Sequence, residues 1–308
     1  MDIMIVIVLL ILIGYLSKYF GILKENDRIV LNNIVVYIAM PSTIFLTIMK
    51  NVSPGDLPIF LKLPFLIFII FFICGIVGFI IGKLLKLNNQ SIGGLILVCA
   101  LGNTGFLGYP IIYGFYGMEG LTRAIFCDMG SVFASLLIGT YVGITFGVNK
   151  NHASTSILRE ILKFPPLLTG ILSIVLIFLG FSIEDFPNYI INTLNYLSNA
   201  TIPLIMISLG LSLSPSSARF GVLFGIIALI VRMAFAPLLA IVLTTCFSVE
   251  GLDKNVVIIQ SAMPSAMMSL VFSLLYGLDI KLVASACFIT TILSLIILPI
   301  LNIIILSL

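Results

Sequence analysis

The spacing of its apolar runs constrains this chain more than any other feature. Segments of about twenty apolar residues, the length a helix needs to cross the hydrocarbon core of a bilayer, follow one another along the sequence. Ten are placed at 3–22, 29–49, 61–83, 91–116, 121–147, 157–181, 189–212, 220–247, 255–276 and 281–306. Between them there is no stretch long enough for a soluble domain or a nucleotide-binding unit. Only Asp2 precedes the first run, which is longer than the apolar core of a signal peptide and reads as an uncleaved helix. Composition agrees. Apolar residues make up 61% of the chain and charged ones 9%, against about 25% charged in an ordinary soluble domain. Twenty-seven charged side chains cannot cover a soluble surface of this size, which excludes a soluble enzyme, a nucleic-acid-binding domain and a disordered chain. The expected fold is an all-α, multi-pass membrane protein with ten transmembrane helices, one domain over 1–308, solvated by the lipid bilayer and without a nucleic-acid partner.

The few basic residues set an orientation, because Lys and Arg collect in cytoplasmic loops. Lys18, Lys24, Arg28, Lys83, Lys86, Lys150, Arg159, Lys163, Arg219 and Lys281 follow the odd-numbered spans, whereas Lys50, Lys62, Arg123 and Lys254 follow even-numbered ones. The first group marks the cytoplasmic face of a cell-membrane protein. With ten spans, both termini are then expected outside, and the connection between spans 5 and 6 in the cytoplasm.

That connection, 149–156, is the most polar stretch and divides the chain into five spans over 1–148 and five over 157–308. A repeated unit with an odd number of spans inserts in opposite orientations, the plan of inverted-repeat transporters. Matches at nearly one offset support such a repeat. Asn33 and Pro41 of span 2 meet Asn195 and Pro203 of span 7, each 162 residues later, and Tyr116-Gly117 meets Tyr276-Gly277, 160 residues later. At the second offset Asn103-Thr104-Gly105 falls opposite Met263-Pro264-Ser265.

Spans 4 and 9 also carry the residues that break helices. Gly102-Asn103-Thr104-Gly105-Phe106-Leu107-Gly108-Tyr109-Pro110 places three glycines and a proline at mid-span. Glycine opens dihedrals closed to other residues, and proline removes a donor and clashes with the preceding turn. Gln260-Ser261-Ala262-Met263-Pro264-Ser265 is the counterpart. Unwound backbone at membrane depth is tolerated only where protein or a cavity lines it. The two breaks are therefore expected to cross, with the N-terminal ends of the second half-helices turned towards a small anion. The candidate substrate-binding residues are Asn103, Thr104, Gly105, Pro110, Gln260, Ser261, Pro264 and Ser265. With Asp128 and Arg232, Pro41 and Pro203 are the coupling or gating candidates; the two prolines are either walls of the same site or plain kinks.

Two charges fall inside spans, Asp128 and Arg232, and each is costly unless it faces the protein interior or water. Asp128 is a candidate for coupling or gating, or else a helix anchor. Arg232 pairs with Asp128, contacts an anionic substrate, or extends along its stem towards the interface. His152 is the sole histidine and reads as a loop residue. Cys74, Cys99, Cys127, Cys246 and Cys287 sit in apolar segments without a metal-ligand spacing, so they read as packing groups rather than a disulfide or zinc framework. Nucleotide-binding and hydrolase signatures are missing from the sequence. A cofactor is not expected, nor is enzymatic activity.

The stretch GNTGFLGYPIIYGFYGMEGL (Gly102 to Leu121), Asp128 and QSAMPSAM (Gln260 to Met267) resemble the auxin efflux carrier family. The resemblance extends over essentially the whole chain. It implies a secondary transporter with crossed spans 4 and 9, similar in architecture to bile-acid sodium symporters. Spans 1, 2, 6 and 7 would form a scaffold, and spans 3–5 and 8–10 an elevator moving against it. It also implies an organic anion as substrate, auxin-like or a short carboxylate, contacted by Asn103, with Pro264 at the second crossing. The short central connection departs from the plant pattern and leaves no room for control through a long cytoplasmic loop. The coupling ion, Na+ or H+, stays open. The alternatives are a symporter of another solute and, further off, a membrane sensor that transports nothing. A Gly78-x-x-x-Gly82 pair in span 3 is compatible with packing either inside the chain or in a homodimer.

Overall fold

The computed structural model describes residues 2–149, 164–213 and 221–307, with side chains from residue 5 onward. His152 and, apart from Asn149, the central connection lie outside the described residues, as do Lys150, Arg159, Lys163 and Arg219.

Apart from one isolated bridge, the described chain is helical. Its elements are α1 (Asp2–Tyr19), α2 (Asp27–Asn51), α3 (Leu57–Leu84), α4 (Asn89–Ala100), α5 (Gly108–Phe146), α6 (Pro165–Phe178), α7 (Asn188–Ser212), α8 (Val222–Cys246), α9 (Gly251–Ser261), α10 (Met268–Tyr276) and α11 (Ile280–Ser307). Six of these, α2, α3, α5, α7, α8 and α11, are long and apolar enough to cross a membrane. Phe65, Phe72, Leu137, Tyr141, Leu238, Val242, Ile296 and Ile303 are exposed on their flanks, an arrangement that lipid tolerates and water does not.

Local sequence explains the ends and irregularities. Asn88 caps α4, its side chain accepting from Ser91 N–H at 2.8 Å. Pro165 and Pro166 open α6, where a missing N–H costs nothing. A π turn spans Val35–Ala39 in α2 and another Val231–Phe235 in α8. Each stands two residues ahead of a proline, Pro41 or Pro237, which cannot donate to the turn before it. Gly117 (φ +62°) divides α5 into 108–116 and 118–146, and Gly277 (φ +68°) ends α10. Both hold left-handed backbone that a side chain would strain.

The helices pack as two groups. In the first, α1 and α2 pack on α7, and α6 packs on α2. Antiparallel α2 and α7 are pinned by Asn32–Ser208 (2.6 Å), Thr43–Thr201 (2.8 Å) and Lys50–Asn195 (3.2 Å). Lys18 crosses from α1 to the end of α7, donating to Leu211 O and Leu213 O at 2.9 and 2.5 Å and neutralising the helix C-terminus. In the second group α3 packs on α4 and α5, α8 on α9 and α11, and α9 on α5. The α3 stripe Gly75, Gly78 and Gly82 lies against Ala100, Ile96, Cys99 and Ile92 of α4. This small-residue pair therefore packs inside the chain, and the structure gives it no homodimer role. Cys74, Cys99, Cys127 and Cys287 are buried, and Cys246 is exposed at the end of α8.

Candidate functional site

The predicted breaks are present, at 101–107 between α4 and α5 and at 262–267 between α9 and α10. A broken apolar helix has to find new partners for its backbone, and these two breaks find them in each other. Asn103 N–H donates to Pro264 O at 2.8 Å, and Ala266 N–H to Leu101 O at 2.9 Å. Gly102 and Ser265 face each other as an isolated antiparallel bridge. Side chains satisfy further backbone groups. Ser265 Oγ donates to Val98 O (2.7 Å) and Ser269 Oγ to Leu97 O (3.3 Å), supplying the last turn of α4. Gln260 Nε2 donates to Thr104 O (3.3 Å), and Thr290 Oγ1 of α11 accepts from Ser265 N–H (3.2 Å).

Asp128 and Arg232 are the only charged side chains buried among the described residues. They do not pair. Asp128, on the second part of α5, accepts from Thr104 Oγ1 at 2.5 Å and from Tyr109 Oη at 3.1 Å. Arg232, on the π turn of α8, is 0% exposed. Its Nε donates to Met263 O at 2.9 Å and its Nη1 to Ala100 O at 3.2 Å, while Phe71 lies under the guanidinium at 4.4 Å. The approach needs Gly102, because a Cβ there would overlap Nη2. The extended-stem alternative is thus excluded as well, since the guanidinium ends on the breaks.

Three buried atoms at the paired breaks have no hydrogen-bond partner among the described residues: Asn103 Nδ2, Arg232 Nη2 and Gln260 Oε1. An unmade buried hydrogen bond costs about 1–3 kcal/mol, so their concentration in one place marks unused binding capacity. A cavity of about 250 Å³ approaches the breaks from one face. Met267 and Leu270 line it at the break end, Thr291 and Cys287 from α11, and Arg28, Ser212 and Leu213 from the other helix group. A much smaller cavity of about 10 Å³ lies where Asp128 and Tyr109 meet Ile44 and Leu167.

The structure brings Asn103, Thr104, Gly105, Pro264 and Ser265 together in the breaks, with Gln260 and Ser261 at the end of α9. Ser261 is turned back on its own helix, its Oγ bonded to Ile258 O. Pro110 lies just past the first break, in the opening turn of α5. The chain has re-entered a helix by Gly108, and a proline in that first turn gives up no hydrogen bond. Next to Pro41 in the chain, Met40 packs at Gly105. Pro203 lies inside α7. Tyr109 and Phe71 were not foreseen. A buried tyrosine hydroxyl needs a partner, and Tyr109 in the Gly-Tyr-Pro cluster carried that signal; nothing in the sequence set Phe71 apart from the other phenylalanines.

The model of a family described as membrane transport protein matches residues 1–302. An uncharacterized transporter of Methanocaldococcus jannaschii is 56% identical over 298 residues, covering 96% of both chains. Another, from Methanothermobacter thermautotrophicus, is 34% identical over 294 residues, covering 95% of this chain and 94% of its own. With an all-helical fold and long apolar helices, these matches identify a membrane protein: the chain belongs to the membrane transport protein family, whose members are transporters of the auxin efflux carrier type.

Proposed function

We propose that this protein is a secondary transporter that carries a small organic anion, auxin-like or a short carboxylate, by alternating access, holding it at the paired breaks. The observation that carries this reading is the trio of unsatisfied buried atoms, Asn103 Nδ2, Arg232 Nη2 and Gln260 Oε1. Two of them, Asn103 Nδ2 and Arg232 Nη2, are donors, the second on a buried cation, and these a carboxylate complements; Gln260 Oε1 is an acceptor and suits a hydroxyl or N–H of the same ligand. Asn103, Thr104, Gly105, Gln260, Pro264 and Ser265 form the site. Asp128 and Arg232 couple or gate it. Pro110, Pro41, Pro203 and Ser261 support it from its edges.

In this reading the chain crosses the bilayer ten times as two inverted five-helix repeats, 1–148 and 157–308, joined by the cytoplasmic connection 149–156, with both termini outside. The match of Gly117 with Gly277 supports the repeat. Each ends a nine-residue helix, 108–116 or 268–276, with positive φ, at the offset read from the sequence. The group of α1, α2, α6 and α7 acts as scaffold, and the group holding both breaks moves against it as an elevator. The larger cavity on the side of Arg28, about 250 Å³ against about 10 Å³ beside Asp128, supports access from the side that the basic loops assign to the cytoplasm.

Purified protein in liposomes, offered a panel of labelled carboxylates and sulfonates, tests this reading. Uptake of at least one anion by wild type, lost in Asn103→Ala, is expected. Failure of every anion to move, or equal transport by the variant, overturns it. Imposing a sodium gradient and then a proton gradient on the same vesicles identifies the driving ion, and a reporter on the C-terminus reads the orientation.

A further inference from the structure

Arg232 does more than carry charge near the breaks. Its guanidinium joins them. Ala100 O is the terminal carbonyl of α4, and Met263 O lies two residues beyond the end of α9. Both helices thus direct their C-terminal ends, each worth roughly half a negative charge, at the same region of low dielectric. Two such ends repel unless a positive charge stands between them. Arg232 supplies it with a planar fork, Nε on one carbonyl at 2.9 Å and Nη1 on the other at 3.2 Å, and with Phe71 beneath. Arg232 takes no part in the ion pairs Lys18–Glu25 and Arg123–Asp253, and the buried carboxylate of Asp128 is engaged by Thr104 and Tyr109 instead. A buried cation without a counter-ion is costly, so the carbonyl ends are its compensation, and it is theirs.

We propose that Arg232 is a tethered cation that stands where a soluble coupling cation would otherwise be required, so that the paired breaks assemble, and bind their ligand, without sodium. The ligand clause rests on the transporter reading above; the assembly clause does not. A soluble cation would have to enter and leave in every cycle. Arg232 sits on α8, which packs with α9 and α11 in the helix group that carries both breaks, so it travels with them.

Thermal unfolding of the full-length protein in detergent tests this directly. A thiol-reactive dye reports the exposure of buried Cys74, Cys99, Cys127 and Cys287. In sodium, potassium and choline chlorides at one ionic strength, wild type is expected to unfold at the same temperature within about one degree, because a cation that does not bind the native state gives no stabilisation by mass action. Arg232→Ala is expected to unfold several degrees lower and to recover part of that loss on titration with methylguanidinium, but not with choline. Arg232→Lys keeps the charge and is expected to remain indifferent to sodium. Stabilisation of wild type by sodium over choline overturns the proposal, as does an Arg232→Ala protein that methylguanidinium leaves unmoved. Should Arg232→Ala fail to accumulate, the wild-type and Arg232→Lys arms still decide. None of these readings uses a transported substrate, so a carboxylate panel that fails would not be confused with failure here.

Discussion

Asn103 and Asp128 sit in the same site and have opposite relations to stability. Asp128 is buried and held by two hydroxyls, Thr104 and Tyr109. Hydrogen bonds to a charged group are worth about 1.5–3 kcal/mol each. Thr104→Val and Tyr109→Phe are each expected to lower the unfolding midpoint by several degrees. The double variant should depart from additivity, because both hydroxyls serve one carboxylate; a thermal double-mutant cycle measures this. Asn103 Nδ2 makes no bond. Asn103→Ala is therefore expected to shift the midpoint little while abolishing the stabilisation that a bound anion gives by mass action; the same melting assay, with and without ligand, separates the two effects. At this scale the sequence disclosed which residues matter by their rarity. It did not disclose their partners. Asp128 and Arg232 were equally consistent with an ion pair, and only the path of the two breaks between them sends one to hydroxyls and the other to carbonyls.

Helices break and bend here where the sequence punctuates them, though not always at the expected residue. The Leu101–Leu107 run unwinds, while Pro110 belongs to the helix that follows, because a proline in a first turn gives up no bond. Gly117 holds φ +62° and ψ −152° in the middle of α5. Gly117→Ala is expected to cost about 1–3 kcal/mol through backbone strain, read as a lower unfolding midpoint, whereas Gly55→Ala, in a loop with open space around it, should leave the midpoint within a degree or so of wild type. Between elements the tolerance is smaller still. Gly210 of α7 lies so close to α1 that a Cβ would strike Ile11 O. Backbone cannot rotate away as a side chain can, so Gly210→Val is expected to separate α1 from α7 and sharply reduce the yield of folded protein in detergent, as measured by gel filtration. The spans were legible because apolar length is written residue by residue. The π turns of α2 and α8 were not, since a proline such as Pro41 or Pro237 accounts for a slip once it is seen but does not by itself distinguish a π turn from a plain kink.

For the whole molecule, the working expectation is that one group of helices moves past the other. The cavity of about 250 Å³ lies between them, with Ser212 and Leu213 on one wall and Met267 and Thr291 on the other. In a background without native cysteines, Leu213→Cys is expected to react with a membrane-impermeant maleimide added from the cytoplasmic side and not from outside. A bound substrate that favours the opposite state should slow that reaction several-fold; labelling rates in oriented vesicles provide the readout. Reaction from the outer side alone would reverse the orientation inferred from the basic loops.

The sequence by itself determined that this chain lives in a membrane, roughly where its helices run, and where two of them break. Those properties follow from local chemistry: apolar length, the freedom of glycine, the missing donor of proline. Only the tertiary structure decided that the breaks bond to each other, that Arg232 bridges their carbonyl ends, and that the glycines of α3 face α4 rather than a second copy. Each of these joins residues far apart in the chain, such as Ala100 with Arg232 and Leu101 with Ala266. Hydropathy does not encode such meetings, because in lipid an apolar helix can be turned to any neighbour at little cost. The few polar groups that must be satisfied then choose the arrangement.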